Sequence, residues 1–251
     1  MKTDRIDIST EFARCVRALG GRVLDDELCS PGFANADYWF PDDAIVGELK
    51  CLTEDLSTNT EFSTLLSSLY AGWVREGLVP RPTSARTTVN LQNLPLACAR
   101  QITGPMKRKL ESTAIKKANK QIRETKQFMS APSAQGLLFL ANDGNHFMPP
   151  GMTTHLLSSI FKSQYSSINA IIYFSVNEVA HVPGVPMPAN FWIEGVIPGR
   201  EPVAPAFLGR VRDAWMAHYS TLVPEPVFEF AGKNDVDYLN AVQFKKRGNA
   251  A

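Results

Sequence analysis

Two uninterrupted apolar runs constrain the fold of this chain more than any other feature. Gly136 to Asn142 and Ile168 to Ser175 carry hardly a charge or a polar alternation between them. A strand that faces solvent on one side alternates in polarity, so continuous runs of this length imply strands covered on both faces. Between them, Met152 to Phe161 has Leu156, Leu157 and Ile160 at helical spacing. Strand, helix and strand with so long a connection imply a parallel crossover, and therefore an α/β fold with helices against a central sheet.

Asp37 to Lys50 is the stretch that carries chemistry. Asp37 to Phe40 and Ala44 to Cys51 are short β-like runs on either side of Pro41-Asp42-Asp43, a turn sequence, so the pair is expected to form a hairpin. Side chains alternate along a strand, which puts Glu48 and Lys50 on one face and Leu49 on the other. A hairpin closed around Asp42 sets the Asp37 carboxylate across from the end of the second strand. Two carboxylates and an ammonium then converge beside apolar strands. Neighbouring carboxylates repel each other, and a hard divalent cation such as Mg²⁺ relieves that repulsion through oxygen ligands, with the Leu49 carbonyl as a further donor. Lys50 at such a centre would orient or help deprotonate a water and stabilise charge growing on a phosphate. The bland alternative is a solvated hairpin with a surface Glu and Lys.

Asp37 followed by Glu48-Leu49-Lys50 resembles the PD-(D/E)XK nuclease superfamily, the restriction-endonuclease-like fold, with Ala36 where the motif name has proline. The resemblance implies that Asp37 and Glu48 hold one or two Mg²⁺ ions, with Mn²⁺ as a substitute, and that Lys50 serves the attacking water. It also implies a mixed central sheet flanked by helices in the order helix, hairpin, helix, strand, helix, strand, which matches the reading of Thr10 to Ser175. Relatives often add a glutamate from the helix before the hairpin, which makes Glu11 a candidate metal ligand, although an acid in a first helical turn also suits the helix dipole. They often place a Gln or Lys from the helix after the hairpin beside the site, a role that Lys117 and Gln121 fit.

Thr10 to Leu19 reads as that first helix, capped by Ser9 or Thr10, with Phe12, Val16 and Leu19 inward and Gly20-Gly21 as its stop. Glu61 to Glu76 is a helix with a broad apolar face, Pro80 to Arg86 is a loop, and Leu91 to Ile102 is a second short helix. Residues 53–104 thus read as a helical insertion in a single domain spanning 1–251. The core helix then runs from about Pro105 to Phe128, with Lys117, Gln121 and Thr125 along one edge. A further strand is expected at Phe191 to Ile197 and a helix at Ala204 to Tyr219, within a C-terminal extension, 176–251, whose polar tail after Gly232 has no assigned role. His146, beside the Asp143-Gly144-Asn145 turn, reads as a turn residue.

The net charge of +1 does not suit a protein that coats nucleic acid, but nine of the 26 basic residues fall between Arg100 and Lys126, a local density to which a phosphate backbone responds. No apolar run reaches membrane-span length, the start lacks a signal-peptide core, and the four cysteines show no CxxC spacing, so a reducing cytoplasm is the expected setting. Walker A, GxGxxG and GxSxG motifs are absent, and the four histidines are scattered. The expected function is therefore a Mg²⁺-dependent DNA endonuclease, of the kind found in restriction or antiviral defence systems, acting alone, as a homodimer or in a larger complex. The alternative is a non-catalytic nuclease-fold module that binds nucleic acid or a protein partner.

Overall fold

A computed structural model describes residues 5–28, 32–81, 93–162, 164–223 and 236–246. The fold is α/β, built on a six-stranded mixed sheet in the order β1-β2-β3-β4-β5-β7. The strands are β1 (Arg22–Val23), β2 (Tyr38–Phe40), β3 (Ile45–Leu52), β4 (Gln135–Asn142), β5 (Ala170–Ser175) and β7 (Trp192–Val196). The first three are antiparallel neighbours, β3, β4 and β5 are parallel, and β7 closes the edge antiparallel to β5. The expected parallel crossover is present between β4 and β5, carried by α6 (Pro150–Ile160).

Strand alternation divides the sheet into two buried faces. Val46, Leu138, Leu140, Ile171 and Tyr173 face α4 (Leu96–Leu110), α5 (Lys116–Phe128) and α6. Ile45, Leu49, Leu137, Phe139, Ile172 and Phe174 face α1 (Ile8–Ala18) and α7 (Pro205–Leu222). Phe12 is the centre of the second face, with its ring 4.8 Å from Phe139 and 5.3 Å from Trp215. Helix α1 is capped by Asp7, whose carboxylate accepts from the Thr10 N–H, rather than by Ser9 or Thr10, and it ends before Gly20 at φ 77°.

The helix expected from Pro105 begins earlier. Cys98, Ile102, Met106 and Leu110 form one buried stripe, so α4 starts at Leu96 and carries Pro105 in its interior. Packing of that stripe outweighs the backbone hydrogen bond that a proline forfeits. The separate helix expected over Leu91–Ile102 is the first half of α4, and residues 82–92, including part of the Pro80–Arg86 loop, lie outside the described residues. A π-helical turn, Glu111–Ile115, joins α4 to α5. The other helix of the 53–104 region, α3 (Thr60–Arg75), is capped by Asn59 and buries Phe62 and Trp73.

The region from 176 onward is not an appendage. It supplies β7 to the sheet, α7 to the face shared with α1, and β6 (Glu178–His181), which pairs with β8 (Gln243–Lys246) in a second small sheet. The polar tail after Gly232, which has no role assigned from sequence, includes α8 (Val236–Ala241) and β8, where Leu239, Val242 and Phe244 are buried against the first face. Residues 247–251 lie outside the described residues. A short helix, α2 (Leu24–Glu27), follows β1, and the Leu24 N–H donates to the Asp37 carbonyl at 2.8 Å.

Candidate active site

The β2–β3 hairpin closes through Pro41–Ala44, with the Ala44 N–H bonded to the Pro41 carbonyl at 3.2 Å and Ala44 at φ 51°. Its register pairs Tyr38 with Gly47, which places Asp37, one residue before β2, opposite Glu48. The ladder with β2 stops there, so the edge of β3 beyond Gly47 faces the Asp37 side chain. Asp37 Oδ2 accepts the Leu49 N–H at 2.7 Å, and Glu48 Oε2 accepts the Asp37 N–H at 3.2 Å. Lys50 Nζ pairs with Glu48 Oε1. Asp37, Glu48 and Lys50 are thus gathered at one point, as the spacing predicted.

This cluster has unusual electrostatics. The Glu48 side chain is 0% exposed, and burial together with the Asp37 charge pushes its carboxyl up to about 8, against the opposing pull of Lys50. Burial also raises the Asp37 carboxyl, opposed by its bond from Leu49 and by the Lys50 charge. Burial disfavours the charged form of both acids, and the one ammonium of Lys50 does not offset it. Their oxygens are hard donors, and the Leu49 carbonyl lies on the same strand edge as the Leu49 N–H. That donor set fits a divalent cation of the Mg²⁺ or Mn²⁺ type. Asp37 and Leu49 also border a cavity of about 550 Å³, walled by Arg14 and Arg17 of α1 and by Asp25 and Asp26 of α2.

Helix α5 holds the loop that delivers Asp37. Thr125 Oγ1 accepts the buried Ala36 N–H at 2.7 Å, and Gln121 Nε2 donates to the Asn35 carbonyl at 2.7 Å. Gln121 therefore reaches the loop backbone next to the site rather than the carboxylates themselves. Lys117, one turn earlier on the same edge, is exposed. Glu11 is not brought to the pair: its carboxylate is held by Arg14 at 2.7 Å and by His218 of α7 at 2.8 Å. Among the described residues, no group of three or more His, Cys, Asp and Glu side chains is gathered to hold a metal ion, so any cation here would rest on two carboxylates, a carbonyl and water.

A second polar cluster lies at the carboxyl ends of β4 and β5. Asp143 accepts from Arg5 at 2.7 Å and from Asn177 at 2.6 Å. His146 Nδ1 stands 3.1 Å from Glu178 Oε2, out of line for a hydrogen bond, and burial pushes the Glu178 carboxyl up to about 7. Sequence spacing held no signal for these pairs, because their partners are 32 to 138 residues apart.

No helix of the described residues is long and apolar enough to cross a membrane. Comparison of the chain with protein-family models, with curated proteins and with solved structures finds no match.

Proposed function

We propose that this protein is a metal-dependent nuclease that hydrolyses phosphodiester bonds at the Asp37–Glu48–Lys50 cluster. The observation that carries the reading is the convergence of two carboxylates and one ammonium at the open edge of β3, with Asp37 also bordering a cavity. The order of elements, with a hairpin delivering both acids and a helix bracing the loop before Asp37, supports a restriction-endonuclease-like topology. DNA as substrate and a role in defence follow from the motif resemblance.

Asp37, Glu48 and the Leu49 carbonyl would hold the divalent cation, which when bound supplies Lewis-acid stabilisation of a phosphate oxygen. Lys50 is partly exposed and pairs with Glu48. From there it orients the attacking water and offsets negative charge growing on the phosphate. Water attacks phosphorus, the bond to the leaving sugar oxygen breaks, and that oxygen takes up a proton. Thr125 and Gln121 act one step removed, by fixing the loop that aims Asp37.

Plasmid DNA, single-stranded DNA and RNA incubated with Mg²⁺, Mn²⁺ or EDTA test the proposal directly. Cleavage of at least one substrate is expected with metal and not with EDTA, and Glu48→Gln and Lys50→Ala are each expected to lower the rate by about 10²–10⁴-fold. Intact substrates with both metals, or variants that cut like the wild type, would refute it. The complete burial of Glu48 favours one competing reading, a nuclease-fold module that binds without cutting, and the same assay separates the two.

A further inference from the structure

The cavity beside Asp37 has opposed walls. On one side, Thr10, Arg14 and Arg17 form a single stripe along α1, and across from them stand Asp25 and Asp26. The two walls are tied together at one point, where Arg17 meets Asp26, by a pairing that a ligand can displace. Arg14 pairs with Glu11 at 2.7 Å and Arg17 with Asp26 at 2.5 Å, and each arginine side chain is half exposed. Exposed ion pairs of this kind contribute little, so their guanidiniums remain available to a stronger anion. Ala13, Val23 and Leu49 give the cavity apolar surface as well.

We infer that this cavity is a subsite for one unpaired nucleotide next to the phosphate being cut, with its own phosphate on Arg14 and Arg17 and its base toward Asp25 and Asp26. The inference rests on the nuclease reading for the position of the scissile phosphate. Two observations favour a single strand over a duplex. A volume of about 550 Å³ is that of a small-ligand cleft. One wall suits a sugar–phosphate chain, while the acidic wall repels a second chain. Carboxylates accept hydrogen bonds from the exocyclic amino groups of bases, which gives the acidic wall a partner on the base.

Binding without turnover tests the subsite separately from catalysis. Fluorescence anisotropy of a labelled 12-nucleotide single strand and of the matching blunt duplex is measured in EDTA and in Ca²⁺, with wild type and with the Arg14→Ala/Arg17→Ala variant, whose folding is checked by circular dichroism. Wild type is expected to prefer the single strand. The double variant is expected to lose about tenfold in single-strand affinity, with a salt dependence shallower by about 1.4 in log–log slope, the value for two lost contacts. That result supports the subsite even if no substrate is cleaved in the Mg²⁺ assay, in which case only the nuclease reading falls. Equal single-strand affinity and salt slope in the two proteins overturns the subsite and leaves the nuclease reading standing, as does a wild-type preference for the duplex.

Discussion

The strongest quantitative consequence of the structure is a pH dependence of stability centred on Glu48. Its carboxyl titrates near the ordinary glutamate value of 4.5 in the unfolded chain and is pushed up to about 8 in the fold, where it is fully buried. Between those values the folded state holds a proton that the unfolded state has lost, so stability falls as pH rises from 4.5 towards 8 and levels off above it. At about 1.4 kcal/mol per unit, the shift amounts to a loss of roughly 3–5 kcal/mol across that window. Replacing Glu48 by Gln keeps an acceptor for the Asp37 N–H and removes the titration. Urea denaturation at intervals from pH 5 to pH 9 would measure it. Wild type should lose stability steeply, and Glu48→Gln should be flatter by up to about 1.4 kcal/mol per pH unit, the value for one proton. The raised Glu178 carboxyl leaves a residual slope of the same sign in both proteins, so the difference between them, which carries Glu48 and the Asp37 carboxyl coupled to it, is the quantity to read. Added Mg²⁺ should restore stability at high pH in wild type more than in the variant, since it favours the ionised pair. Parallel curves for the two proteins would refute the argument, because they would mean that Glu48 ionises in the fold as freely as in the unfolded chain.

Thr125→Val leaves the buried Ala36 N–H without its acceptor and should cost about 1–3 kcal/mol in urea denaturation, together with a loss of cleavage as Asp37 shifts. Lys126 is buried with its Nζ on the Ser167 carbonyl at 3.1 Å, and burial lowers it to about 8. Its charged form is therefore penalised below pH 8 and the penalty is relieved between 8 and 10.5, so Lys126→Met should remove a rise in stability over that alkaline window, as followed by thermal melts. Phe244→Ala removes a ring packed 5.7 Å from Phe191 and 6.4 Å from Tyr173; it should cost roughly 3–5 kcal/mol and expose the C-terminal segment to limited proteolysis.

The parts of the fold legible in the sequence were those set by local periodicity. The β2–β3 hairpin was readable because Pro41-Asp42-Asp43 separates two apolar runs, and its register followed from the turn. Strands β4 and β5 were readable because burial on both faces leaves no polar positions. The interior Pro105 misled, since local proline rules say nothing of the stripe from Cys98 to Leu110 that outweighs them. The C-terminal segment was missed for a similar reason: its apolar residues are sparse and become meaningful only against α6 and β6. Within the site, the chemistry of Asp37, Glu48 and Lys50 could be inferred from alternation along one strand. Glu11 could not be placed, because its partner His218 lies 207 residues away, and Gln121 acts on a backbone carbonyl that no residue pattern encodes.

The π-helical turn between α4 and α5 gives the site an unexpected dependence. Such a turn amounts to one extra residue wound into the helix, and each residue of an α-helix turns the following segment by about 100°. If the same five residues wound as ordinary α-helix, α5 would be turned about its axis, and Thr125 and Gln121 would swing away from the chain they grip and release the aspartate beyond it. The alignment of the two acids is thus timed by a winding defect that touches neither of them.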